Sequence, residues 1–367
     1  MEIAVLGGAG GIGQAVVADL LTNSDLSVRI VDVRQDAGRR MADRLGKRVR
    51  FSLADAGRPK TIVRAVEGVR TAVNCIGPFY RFAVTVARAI LDAGVNGVDI
   101  CDDYTPIGGL LALDELAKTR NVCYVTGMGW SPGITNMLAL KGYRKLDRVR
   151  SISIHWLSGA ADYQGPAAVK HLLFTSTGEV PIYRDGDWKR VEALAEPEQV
   201  VFPPPFGKAE VSHSGHPETL TLPRTMKLKN VEVKGGLVPK WNNAAVKAAV
   251  RLGLTRDDRS IDRTARHINR MERLFRVGGV QRSAARVTLV GQKDGRWTRL
   301  VYTTVDRMAR LTALPASVAA QVLAHQQDIK PGVYAPEAYL DPNNFFTALA
   351  SRGIVVQEQS FDEDVDK

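Results

Sequence analysis

Ile3-Ala4-Val5-Leu6-Gly7-Gly8-Ala9-Gly10-Gly11-Ile12-Gly13-Gln14 decides the fold of this 367-residue chain. The apolar run Ile3–Leu6 predicts a short buried strand and Gln14–Leu21 a helix, so the glycines between them make a strand-to-helix turn. The spacing Gly8-x-Gly10-x-x-Gly13 is the phosphate-cradling pattern in the setting that makes it informative. Gly8 permits the tight turn, Gly10 lets backbone amides approach a pyrophosphate, and Gly13 lets the helix lie close on the strand. Gly11 and Ile12 open the helix, whose N-terminal amides attract an anion.

Asp32 stands about 20 residues past the glycines, at the end of the next predicted strand, where a carboxylate accepts the hydroxyls of an adenosine ribose. Arg34 follows two residues later, with Arg39 and Arg40 beyond. Asp32 repels a 2′-phosphate, so NAD is expected ahead of NADP. Asp55, after the third strand, is placed to bond the adenine edge. Asn74-Cys75-Ile76-Gly77-Pro78, after the fourth, is placed beside the nicotinamide ribose. Both stretches also read as ordinary turn chemistry.

Outward from this motif, strands at Glu2–Leu6, Ser27–Val31, Val49–Leu53, Thr71–Cys75, Gly97–Ile100 and Val122–Thr126 alternate with helical stretches such as Arg81–Asp92 and Leu110–Lys118. Alternation of this kind predicts parallel strands joined by helical crossovers, the doubly wound α/β sheet of a Rossmann domain. Beyond Pro132-Gly133 the pattern changes to longer alternating strands and tight turns: Arg150–Leu157, a turn over Arg184–Asp187, and a hairpin at Lys293-Asp294-Gly295. Helices are expected over Asn243–Arg251 and Ser260–Arg276, the latter with Ile261, Ala265, Ile268, Met271 and Phe275 on one side. The expected organisation is a dinucleotide domain over 1–130 and a mixed, largely antiparallel α/β substrate and dimerisation domain over 131–310. A segment over 311–355 returns to the first domain, and a loose acidic tail covers 356–367.

Bulk properties agree with two soluble domains. Apolar residues make up 45% of the chain and charged residues 24%, and no apolar run nears the ~18 residues of a membrane span. Met1 leads directly into a strand instead of a secretory signal, so a cytoplasmic location and no membrane partner are expected. Cys75, Cys101 and Cys123 are widely separated, which predicts reduced thiols, and no His or acidic spacing suggests a metal. The net charge of +11 suits an anionic ligand, for which a dinucleotide is sufficient; nucleic acid is not expected. Arg259, Arg263, Arg266, Arg270 and Arg273 recur at helical steps as one basic stripe opposite the apolar side, a solvated face in the simplest reading.

Three further stretches carry a resemblance. Asn74-Cys75-Ile76-Gly77-Pro78-Phe79-Tyr80, Ala93-Gly94-Val95-Asn96-Gly97-Val98-Asp99 and Gly127-Met128-Gly129-Trp130-Ser131-Pro132-Gly133, in that order and spacing, resemble the saccharopine dehydrogenase-like family, which includes saccharopine reductases and lysine 6-dehydrogenases. The resemblance extends more loosely to Gly332–Glu337 and Arg352–Ile354. It implies a Rossmann domain interrupted by a mixed α/β substrate domain, often a homodimer, and hydride exchange between a nicotinamide and a carbon bonded to an amino-acid nitrogen. Lysine-type amine oxidation is expected ahead of saccharopine-type condensation. A polyamine enzyme of the carboxynorspermidine or homospermidine synthase kind, or a dinucleotide sensor without turnover, is the alternative. Trp130-Ser131 and Cys101-Asp102-Asp103-Tyr104 depart from the family's usual residues at the expected substrate mouth.

Amine oxidation needs a group that takes a proton from the ammonium before the C–H bond breaks. Tyr80, Asp102, Asp103 and Tyr104 follow strand ends on the rim where such folds bind ligands, and Trp130 joins Tyr80 as a candidate substrate contact. Asp103 and Tyr104 are candidate acid–base groups, although Asp103 reads equally well as a cap on the helix near Pro106. In the second domain His171 and His216 are candidates for proton transfer. They fall in two polar clusters, Tyr163–His171 and His213–Thr219. Lys170 and Arg184 are candidate anchors for a substrate carboxylate.

Overall fold

The computed structural model describes residues 1–162, 165–271, 274 and 276–363. Tyr163, Arg273, Phe275 and the last four positions of the acidic tail, all named above, lie outside the described residues. The described chain forms two compact units, Met1–Gly133 with Ala309–Asp341, and Ile134–Met308 with Pro342–Lys367.

In the first unit β1 (Glu2–Leu6), β2 (Ser27–Asp32), β3 (Val49–Leu53), β4 (Thr71–Asn74), β5 (Asn96–Asp99) and β6 (Cys123–Val125) lie in the order 6-5-4-1-2-3. Every pairing is parallel. Ile3, Ala4, Val5 and Leu6 are all fully buried, because helices cover both faces of such a sheet; hence the unbroken apolar run. A seventh strand, Gly332–Tyr334, extends the sheet beside β6. The expected helix over Leu110–Lys118 is two short ones, Ile107–Leu111 and Asp114–Thr119.

The second unit is built on a mixed nine-stranded sheet. Its strands are β7 (Arg148–Gly159), β8 (Glu179–Arg184), β9 (Asp187–Glu192), β10 (Glu198–Phe202), β11 (Gly207–His213), β12 (Asn230–Val238), β13 (Ser283–Lys293) and β14 (Arg296–Asp306), together with Val356–Asp362. Two tight turns occur where the sequence places them, with Asp185 (φ +59°) and Gly186 (φ +85°) joining β8 to β9, and Asp294 (φ +51°) and Gly295 (φ +76°) joining β13 to β14. Positive φ at both central residues matches the twist of the paired strands. All pairings are antiparallel except β7 with β12, which run parallel over nine residues from Ser151↔Asn230 to Gly159↔Val238.

Two boundaries differ from expectation. Residues 342–355 belong to the second unit instead of returning to the first. The stretch expected as a loose tail forms the edge strand Val356–Asp362, antiparallel to β14. Its backbone is held by the β14 ladder although its side chains, including Phe361, are mostly exposed. A strand with mostly exposed side chains leaves no apolar alternation to read.

Candidate active site

In the first unit, the turn after β1 has the shape of an anion cradle. The positive φ falls on Gly7 (+72°), one residue before the motif's first glycine, a role that motif spacing alone does not assign. A Cβ on Gly13 would lie 2.2 Å from the Gly7 carbonyl oxygen, and one on Gly8 2.7 Å from that of Val5. Only glycines permit the helix Gly11–Asn23 to start this close to the strand. No side chain caps its Gly10 N-terminus, and the first amides of a helix have no intrahelical partners, so Gly11, Ile12 and Gly13 present theirs to a ligand. This geometry fits a dinucleotide pyrophosphate.

Asp32 is buried at the end of β2. Its Oδ2 accepts the Ala9 amide at 3.1 Å, which ties the glycine turn to β2. Its Oδ1 accepts the Arg34 amide at 2.9 Å. The Arg34 guanidinium, itself half exposed, bonds both carboxylate oxygens, at 3.1 and 3.2 Å, and that bond raises the Arg34 pKa. Asp32 is therefore already neutralised, a pairing that reading the two residues separately misses. A cleft of about 600 Å³ opens beside the turn, lined by Ala9, Gln14 and, from the helix Gln35–Leu45, Ala37, Arg40, Met41, Asp43 and Arg44.

Asp55 accepts the Gly57 amide through Oδ1 at 2.8 Å, a local turn bond before the helix Pro59–Val66. Asn74 Oδ1 accepts the Ile76 amide at 3.0 Å, which shapes the Cys75–Pro78 loop. Burial, and the charge of Asp99 nearby, push the Cys75 thiol up to about 12, so it stays protonated at neutral pH.

Asp103 is wholly buried, and its Oδ2 accepts the Tyr80 amide at 2.7 Å. That bond satisfies the second amide of the helix Phe79–Asp92. The residue that organises this rim is Asp99, at the end of β5. Its buried carboxylate accepts the amides of Cys101 (2.9 Å) and Gly127 (2.7 Å) and the hydroxyl of Thr126 (3.0 Å), so it joins the loops after β5 and β6. Burial raises its pKa despite these donors. Beyond it, Gly129 N bonds Pro132 O at 3.0 Å, closing the loop that holds Trp130, which is nearly buried. Tyr104 lies in the turn before Ile107.

In the second unit, the structure brings together two of the predicted histidines. His171, on the helix Pro166–Thr175, meets His216 edge to face with ring centroids 5.3 Å apart, and Trp156 of β7 lies 5.6 Å from His216 on another side. Glu218 is fully buried, with Oε2 3.8 Å from His216 Nδ1 and Oε1 accepting the Thr135 hydroxyl at 2.8 Å. Sequence reading does not assign Glu218 or Thr135, because their contact spans 83 positions. A histidine backed by an oriented carboxylate is a competent proton acceptor.

Lys170 and Arg184 are engaged elsewhere. Lys170 Nζ is 2.7 Å from Asp262, and Arg184 forks onto Glu196 at 2.9 and 3.2 Å. Glu196, His213 and Glu232 gather donor atoms within 4.8 Å of one another, but Arg184, and Lys234 at 3.8 Å from Glu232, make this an ion-pair network.

A family model described as the saccharopine dehydrogenase NADP binding domain matches residues 3–125, and one described as the saccharopine dehydrogenase C-terminal domain matches residues 129–354. The chain belongs to the saccharopine dehydrogenase family, as a dinucleotide-binding oxidoreductase. Saccharopine dehydrogenase (L-Glu forming) from Saccharomyces cerevisiae shares the fold at a TM-score of 0.72, with 15% identity, over 98% of this chain and 99% of that one. Amine dehydrogenase from Mycobacterium smegmatis aligns more loosely, at a TM-score of 0.48 and 14% identity, over 93% and 98% of the two chains. Among the described residues no helix is long and apolar enough to cross a membrane.

Proposed function

We propose that the protein moves hydride between NADP and a C–N bond of an amino acid or amino-acid conjugate, with His216 as the acid–base group. The grouping of His216 with His171 and buried Glu218 carries this reading. Oxidation of an amine starts from the free base, because the nitrogen lone pair must assist departure of the hydride. His216 takes the ammonium proton, Glu218 stabilises the imidazolium that results, and Thr135 holds Glu218. Trp156 and His171 fix the plane of the His216 ring. The bound nicotinamide supplies the two-electron acceptor or donor; Gly11, Ile12 and Gly13 hold its diphosphate by their amides. In the reverse direction His216 returns the proton to the new amine.

NADP is preferred over NAD in this reading, reversing the order that Asp32 alone suggests. With its charge met by Arg34, Asp32 no longer repels a 2′-phosphate, and the guanidinium of Arg34 offers that phosphate a bidentate partner. Arg40 and Arg44 add positive charge along the adjoining cleft. The deciding experiment follows nicotinamide absorbance with lysine, ornithine, saccharopine and diamines, and with 2-oxoglutarate plus lysine in the reducing direction, each with NAD and NADP. Turnover of an amino-acid substrate, faster with NADP, supports the reading; silence across the panel overturns it.

A further inference from the structure

Residues 240–277 hold ten lysines and arginines against four aspartates and glutamates, so six of the chain's eleven net positive charges fall within 38 residues. The same stretch supplies Trp241, Leu252, Leu254, Met271, Leu274 and Val277, six of the fourteen large apolar side chains exposed among the described residues. Leu252 is 74% exposed, Val277 64% and Leu274 55%. Leu252 and Leu254 flank Gly253, whose φ of +69° turns the chain at the end of the helix Trp241–Arg251.

The helix that follows, Asp258–Arg270, packs Ile261 and Ala265 against Val169 and Leu173. Arg259, Arg263, Arg266 and Arg270 are exposed and, by helical spacing, lie on the opposite side. Of the nearby acids, Asp257 caps this helix by accepting the Ser260 amide, and Asp262 meets Lys170. The element therefore turns a guanidinium row outward, with large apolar side chains exposed just before and just after it.

We infer that this element docks the protein on an anionic phospholipid surface. Guanidinium groups pair with lipid phosphates while leucine, methionine and tryptophan tips enter the acyl boundary, and long basic side chains can reach back to the headgroups. A nucleic acid backbone would satisfy the arginines and leave the leucines in water. The sequence predicts no membrane partner because no run can span a bilayer; adsorption to a headgroup layer needs no such run.

The full-length protein is sedimented with vesicles of phosphatidylcholine alone and with vesicles that also contain phosphatidylglycerol. Binding to the anionic vesicles stronger by about tenfold, and weakened by added salt, is expected. Joint replacement Leu252→Ser, Leu254→Ser, Leu274→Ser and Val277→Ser should lower it by about tenfold or more. Replacement of Arg259, Arg263, Arg266 and Arg270 by Gln should abolish the preference for anionic lipid. NADP titration of each variant confirms that it is folded and reads the cofactor site separately. Failure of the wild type to sediment with either vesicle, equal sedimentation of wild type and leucine variant, or a solution dimer that the leucine variant dissolves, would each overturn the proposal.

Discussion

Arg34 grips Asp32 by both carboxylate oxygens, and Asp32 in turn holds the Ala9 amide of the glycine turn. Loop geometry hangs on this carboxylate, and in the proposed reading so does the choice between NADP and NAD. Arg34→Ala removes the 2′-phosphate partner and frees the Asp32 charge, so KM for NADP should rise by roughly tenfold to a hundredfold, the scale of a lost charge-assisted pair. KM for NAD should change little. Equal loss with both dinucleotides would place Arg34 in loop structure alone.

Gly13 tests the cradle itself. A methyl group there meets the Gly7 carbonyl at 2.2 Å, and backbone on both sides leaves no flexible neighbour to yield. Gly13→Ala should cost about 1–3 kcal/mol of stability or more and weaken binding of both dinucleotides by a similar factor, measured by calorimetry. Gly108, inside the helix Ile107–Leu111 with open space about its Cα, is a control: Gly108→Ala should leave binding unchanged, because alanine suits helical backbone.

The first unit was legible because buried parallel strands announce themselves as apolar runs and the glycine turn has one workable backbone path. Pairings between distant segments were not. Asp32 and Arg34 could each be named, but their mutual pairing depends on one rotamer. Asp99 read as one residue of a strand, although its carboxylate gathers donors from two loops. His171 and His216 were candidates singly; Thr135 and Glu218 were silent because no spacing rule joins residues 83 positions apart. The strand Val356–Asp362 was hidden by its polar, exposed side chains.

Asp99→Ala should leave the Cys101 and Gly127 amides and the Thr126 hydroxyl without their acceptor in a buried place. Each orphaned donor costs about 1–3 kcal/mol, less than additively. The melting midpoint should fall by more than in Asp55→Ala, whose turn bond is exposed. Similar midpoints for the two variants would remove Asp99 from its organising role.

If His216 carries the proton, His216→Asn should lower kcat for amine oxidation by about a hundredfold to ten-thousandfold. Glu218→Gln keeps an acceptor for Thr135 but loses the charge facing His216, so kcat should fall by about tenfold to a hundredfold. KM for the dinucleotide should hold in both. A parallel rise in dinucleotide KM would point to disrupted structure instead.

The ion pairs of the second unit set its acid stability. Glu196 is lowered to about 2 by its bonds to Arg184 and His213, and Glu198 to about 2 by its bond to His155, with Lys234 assisting against burial. An unfolded glutamate titrates near 4.5, so the unfolded chain binds protons first as pH falls. The stabilisation is therefore fully present above pH 4.5 and is lost progressively between about 4.5 and about 2. Both carboxylates are partly exposed, at 46% and 41%, so solvent screens the effect and the slope should be modest. Glu198→Gln should lower the melting midpoint at pH 6 while flattening its fall toward pH 3. A wild-type midpoint with no slope below pH 4.5, or a variant with the wild-type slope, would show that these pairs do not govern acid unfolding.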